Sequence, residues 1–110
     1  MFDARCRKTR GVVTVFLLPT ERPEHRLGLS IGKRVGNAVV RGRFKRMMRE
    51  AFRHQRLELP RPNEGGAYDI VVNSRKHDAL SLDEYTKMFV EAVEAGHRTH
   101  EKRAAKVAEL

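Results

Sequence analysis

The chain has no tryptophan, one cysteine and four prolines in 110 residues, and only two tyrosines and five phenylalanines. Acids are also scarce, with 14 Asp and Glu against 23 Lys and Arg. A single cysteine, Cys6, excludes an intrachain disulfide, so a reducing cytoplasm is the expected location. The longest apolar run, residues 12–18, is too short to span a bilayer and too far from the N-terminus for a signal peptide. No membrane partner is expected. Low aromatic content, without the aromatic strand motif of an RRM, argues against that base-stacking platform. His97 and His100 lie three apart on a polar segment with no further sulfur or histidine, so no zinc site and no bound metal are expected. Cys6 sits between arginines, which lower a thiol pKa. No Cys–His signature surrounds it, and it reads as incidental.

What the chain does have is positive charge. The formal net charge is +9 on a length that fits one domain, so the expected partner is a polyanion. The charge is concentrated in residues 33–51, KRVGNAVVRGRFKRMMREA. On a 3.6-residue period, Val40, Phe44, Met47, Met48 and Ala51 fall on one apolar arc. Arg41, Lys45, Arg46, Arg49 and Arg53 fall opposite. Glu50 is the only acid between Arg41 and Arg53. A solvated surface helix normally mixes its signs. This one reads as a helix with one face on a core and the other offered to nucleic acid. Asn37 stands where an N-cap belongs.

Along the chain, residues 1–10 read as basic and irregular. Residues 12–18 (VVTVFLL) read as a strand ended by Pro19. Residues 26–33 alternate Leu27, Leu29 and Ile31 with small residues and read as a second strand, expected to form an antiparallel hairpin with the first. The basic helix follows over about 38–57. Pro60, Pro62 and Gly65-Gly66 make a loop. Residues 68–73 (YDIVVN) read as a buried strand, and strand–helix–strand order implies a crossover with parallel pairing. Ser81 and Glu84 form a capping box with Leu80 and Tyr85 as a staple. Tyr85, Met88, Phe89, Ala92 and Val93 stripe a closing helix that Gly96 ends or weakens. The domain is set at 1–96, and 97–110 as a polar tail that frays or continues as a solvated helix. The fold class is α+β: a small two-layer sandwich, with a sheet of three to four strands, a basic crossover helix and a C-terminal helix.

Enzyme chemistry finds no purchase here. Residues 28–34 (GLSIGKR) are one residue short of a P-loop, and Arg34 replaces the hydroxyl that would hold magnesium. No nucleophile elbow is present. Asp69 and Asp78 are isolated acids, explained by turns, caps or solvent contacts. No catalytic residue is assigned. The basic helix lacks the preceding helix and tight turn of a helix-turn-helix, so shape-based RNA binding fits better than a DNA groove. A ribosomal-type RNA-binding protein and a small DNA-binding regulator remain as other readings.

Residues 30–52, SIGKRVGNAVVRGRFKRMMREAF, resemble the signature of the bacterial ribonuclease P protein subunit. That family shows K-[KR]-x-G-N-A-V-x-R-N-R-x-K-R and an R-E-A-F-like end. The flanking RLGLS and YDIVV segments resemble it as well, so the likeness covers about residues 2–95. The resemblance implies an α-β-β-β-α-β-α fold with a left-handed crossover, against the usual rule. It also implies assembly with a catalytic RNA, one protein per RNA, to remove the 5′ leader of precursor tRNA. The RNA would carry the chemistry, and Mg2+ would be bound mainly by that RNA.

By position, the resemblance makes Lys33, Arg34, Asn37, Arg41, Arg43, Lys45, Arg46 and Arg49 the RNA-facing residues, with Arg43 open to a bracing role instead. Phe2, Val13 and Val15 are the leader-cleft candidates. Two departures stand out. Gly42 occupies the place of the family's asparagine, and the family's N-terminal helix is expected to be largely missing before Phe2.

Overall fold

A computed structural model describes residues 6–108. Its elements are β1 (Cys6–Arg10), β2 (Val13–Thr20), β3 (Arg26–Leu29), a 3-10 turn (Lys33–Val35), α1 (Ala38–Gln55), β4 (Ala67–Ser74) and α2 (Leu82–Ala108). The strands form one sheet in the order β1-β2-β4-β3. Both helices lie on one face of it, which gives the expected α+β two-layer sandwich.

β1 falls where the sequence reads as irregular. Its CRKTR sequence hides the strand because it is an edge, and edges carry charge to discourage foreign pairing. The signal that reveals it is Gly11-Val12, a two-residue connection between Arg10 and Val13. Gly11 has φ +58°, the positive value a II′ hairpin demands at its first position.

The hairpin expected between the second and third strands does not form. β4 inserts between them, antiparallel to β2 and parallel to β3. The physical reason is ladder length. β4 matches β2 along its whole run, from Val13 opposite Ser74 to Thr20 opposite Ala67, whereas β3 spans only four residues. The crossover through α1 therefore joins β3 to β4 in parallel, as strand–helix–strand order implied. Pro19 does not end β2. The described pairing with β1 stops at Leu17, so a missing N–H at position 19 costs no donor on that side.

Period-2 alternation sends Val13, Val15 and Leu17 of β2, with Ile70 and Val72 of β4, to the helix-covered face, where all are fully buried. α1 contributes Phe44, Met48 and Ala51; α2 contributes Tyr85, Phe89, Ala92 and Val93. Each such side chain stabilises the fold by about 1.5–3 kcal/mol, alanines less. Phe44 meets Tyr85 edge-to-face at 5.3 Å, which locks the helices together. Val40, assigned by periodicity to the apolar arc, is 41% exposed instead. It sits in the first turn of α1, before the helix reaches the core.

The capping box forms as read: Ser81 N–H donates to Glu84 Oε2 at 2.9 Å, and Glu84 N–H donates to Ser81 Oγ at 3.1 Å. α2 passes Gly96 without a break. The glycine is there for close approach, since a Cβ at 96 would lie 2.7 Å from Leu17 Cδ1. Of the two readings for the segment after Gly96, the helical one holds through Ala108, and its first turn is not solvated. Tyr68 Oη and His97 Nδ1 are hydrogen-bonded at 2.8 Å, and the His100 ring stands edge-on to Tyr68 at 5.6 Å.

Candidate nucleic-acid interface

The start of α1 is built locally. Asn37 Oδ1 accepts from the Val40 N–H at 2.9 Å, which is the N-cap read from the sequence. Arg41 Nε donates to the Gly36 carbonyl at 3.2 Å and ties the helix back to the loop before it. Arg43 Nη2 donates to the Leu80 carbonyl at 2.7 Å, across to the loop that opens α2. Three of the eight signature residues are thus turned to the fold: a cap and two braces. Arg43 takes the bracing role that its position near the apolar edge left open.

The other five face outward. Lys33 and Arg34 are exposed on the 3-10 turn, which buried Val35 anchors. Arg46 and Arg49 are exposed on α1, and Lys45 is half-exposed. Among the described residues, the side chain of none of these five makes a hydrogen bond or an ion pair. Their charges are therefore uncompensated among the described residues. Arg53 differs, although the helical period puts it on the same arc. Glu50 accepts from both Arg53 and His54, and its carboxyl is drawn down to about 2 by Arg53 first and His54 second. Glu50 spans i+3 and i+4, which a helix brings to one side. Arg53 is an internally paired cation. Gly42 sits among the free cations with open space around it, where an added Cβ would meet only Arg46 Nη1, at 3.5 Å.

The second surface is the sheet face away from the helices. Among the described residues no helix covers it. Arg7, Phe16, Val71 and Gly28 form one row across all four strands. Arg7 lies over the Phe16 ring at 6.0 Å, a cation–π distance. Leu18 and Val71 are 42% and 37% exposed. At one end Arg26 holds Asp69 bidentately, at 2.9 and 3.0 Å, and this pairing lowers the Asp69 carboxyl pKa. Asp69 is thus an ion-pair member, where the sequence reading gave it caps, turns or solvent.

Val13 and Val15 are not on this face. Both are fully buried beneath the helices, because odd-numbered residues of β2 point to the core. The even-numbered Thr14, Phe16 and Leu18 lie on the open face instead. The alternation within residues 13–18 was the available signal; it groups the residues but does not say which group is covered. Phe2 lies outside the described residues. Among the described residues, no group of three or more His, Cys, Asp or Glu is placed to hold a metal ion, and no helix is long and apolar enough to cross a membrane.

Residues 1–96 match the protein family Ribonuclease P. The ribonuclease P protein component of Natranaerobius thermophilus is 34% identical over 79 residues, which are 71% of this chain and 64% of that protein. The corresponding protein of Desulfovibrio desulfuricans is 38% identical over 79 residues, 70% of this chain and 57% of that protein. The match therefore stops well short of the full length of these relatives. The RNase P protein of Thermotoga maritima superposes with a TM-score of 0.71 at 21% identity, covering 83% of each chain. That of Staphylococcus aureus gives 0.68 at 24% identity, covering 83% of this chain and 80% of the other. These two share the fold. With a family match over most of its length and the signature helix capped and exposed, the chain belongs to the ribonuclease P protein family.

Proposed function

We propose that the chain is the protein subunit of a ribonuclease P. In this reading it binds the catalytic RNA through the outward cations of the 3-10 turn and α1. The observation that carries the reading is the set of five cations, Lys33, Arg34, Lys45, Arg46 and Arg49, whose side chains have no partner among the described residues. Ammonium and guanidinium groups held in this way neutralise phosphates and release their counterions. The open sheet face takes the single-stranded 5′ leader of precursor tRNA. Phe16 and Val71 offer apolar surface under bases, and Arg7 beside Phe16 offers charge for the strand. Mg2+ is held mainly by RNA phosphates, and hydrolysis belongs to the RNA. The protein contributes cationic charge and substrate position, so less Mg2+ is needed.

The test is cleavage of precursor tRNA by the cognate catalytic RNA at low Mg2+, with and without this chain. Cleavage should rise with the chain present, and the chain alone should cleave nothing. Cleavage by RNA-free protein, or no effect on the Mg2+ requirement, overturns the reading.

A further inference from the structure

Between β3 and α1 lies a groove of about 410 Å3, lined by Leu27, Leu29, Phe52, Lys45 and Arg49. That size is within the range of small-ligand sites. β3 is an edge strand of the sheet, so the groove opens outward beside the basic face of α1. Leu27, Leu29 and Phe52 pack partly on the core and keep part of their surface exposed. Lys45 and Arg49 are one helical turn apart; among the described residues their side chains have no partner, and no acid lines the groove.

Two kinds of surface meet here, and each limits the occupant. A purely apolar ligand leaves two cations without counter-charge. An isolated phosphate leaves Leu27, Leu29 and Phe52 against water. A nucleotide satisfies both, because its base has an apolar face and its phosphate a full negative charge. We propose that an unpaired RNA nucleotide seats in the β3–α1 groove, its base on Phe52 and its phosphate on Lys45 and Arg49. This deepens, and rests on, the reading of α1 as the RNA-docking helix. It makes the docking more than a sum of phosphate contacts, since a base turned out of its strand is recognised beside the helix.

The test compares a short oligoadenylate with an abasic ribose-phosphate oligomer of equal length, binding the full chain. Stacking favours the base-bearing oligomer by about 5- to 150-fold. Phe52→Leu, which keeps the apolar packing, should remove most of that preference, and Phe52→Tyr should retain it. A second measurement needs no substitution. An oligonucleotide carrying 4-thiouridine is photocross-linked to the unaltered chain and the adduct mapped. Adducts on residues 27–29 or Phe52 support the groove. Adducts confined to the sheet face around Phe16 overturn it, as does a preference that survives Phe52→Leu. Equal, salt-sensitive binding of both oligomers overturns the groove and leaves α1 docking intact. If neither oligomer binds in a salt-sensitive way, the docking reading fails and the groove with it.

Discussion

Arg43 Nη2 donates to the carbonyl oxygen of Leu80 at 2.7 Å. This bond spans 37 residues and joins the middle of the basic helix to the loop that opens α2. An arginine inside the family signature is therefore a structural tie. Arg43→Ala should destabilise the fold by about 1–3 kcal/mol, because a charge-assisted bond is lost and a half-buried carbonyl is left unpaired. Arg46→Ala should change stability by no more than about 0.5 kcal/mol. It should also make the slope of log affinity against log salt shallower by about 0.7–0.9. Denaturant melts and RNA titrations at several salt concentrations separate the two. Equal effects of the two substitutions on both readouts would contradict the division into brace and ligand.

Among the described residues, Phe16 is the aromatic residue of the open sheet face. If the leader lies there, Phe16→Ala should lower the affinity ratio between precursor and mature tRNA by about 5- to 150-fold, the range for losing one stacked base. Affinity for mature tRNA should hold. A matched loss for both RNAs would show that Phe16 supports the sheet and not the leader.

A Cβ at Gly42 would make only an ordinary contact, with Arg46 Nη1 at 3.5 Å, and the resemblance places an asparagine at this position. Gly42→Asn should stabilise α1 by a few tenths of a kcal/mol through helix propensity. Thermal melts check the stability, and titration with the catalytic RNA checks assembly. Tighter assembly fits an amide on the RNA face. Weaker assembly would mean that RNA packs directly on the glycine backbone.

His25 Nδ1 accepts from the Tyr68 N–H at 3.0 Å, and that acceptor exists only on an unprotonated nitrogen. Burial holds the His25 pKa below its ordinary 6.5, and the Arg61 charge adds to this. The unfolded chain therefore takes up a proton at a higher pH than the folded one. The contribution of His25 to stability is complete above about pH 6.5 and is lost as pH falls toward the lowered folded value. Urea melts across that window should show stability falling with acid. His25→Asn, which keeps an acceptor near the Nδ1 position, should flatten the fall. An unchanged pH profile in that variant would assign the acid sensitivity to other groups.

Gly96 should not tolerate a methyl group. Alanine gains about 1 kcal/mol in helix propensity. The new Cβ would lie 2.7 Å from Leu17 Cδ1 and 3.1 Å from Leu17 Cγ, on a side chain with no exposed surface. Overpacking of this kind costs about 1–3 kcal/mol. Gly96→Ala should thus be net destabilising, read as a lower Tm. A higher Tm would show that Leu17 has room to repack.

The sequence by itself determined what depends on neighbours three or four residues apart. The Asn37 cap, the Ser81–Glu84 capping box and the apolar stripes around Phe44 and Tyr85 are set within one or two helical turns, and apart from Val40 they stand where the spacing put them. The cation run on α1 was legible for the same reason. Its division was not. Arg43 and Leu80 meet only when two helices pack, and Glu50 spends its charge on Arg53 and His54 only in side-chain geometries that the helical wheel does not specify. The sheet shows the limit most clearly. Alternation in β2 separates Val13, Val15 and Leu17 from Thr14, Phe16 and Leu18, but either set could have faced the helices. β3 could have paired with β2, its neighbour in sequence. Packing decided both. The helices covered the side where Val13, Val15 and Leu17 join Tyr68, Ile70 and Val72, and β4 gave β2 a longer ladder than β3 could. A period of two carries no sign, and a strand carries no record of its partner, so the tertiary structure had to supply both.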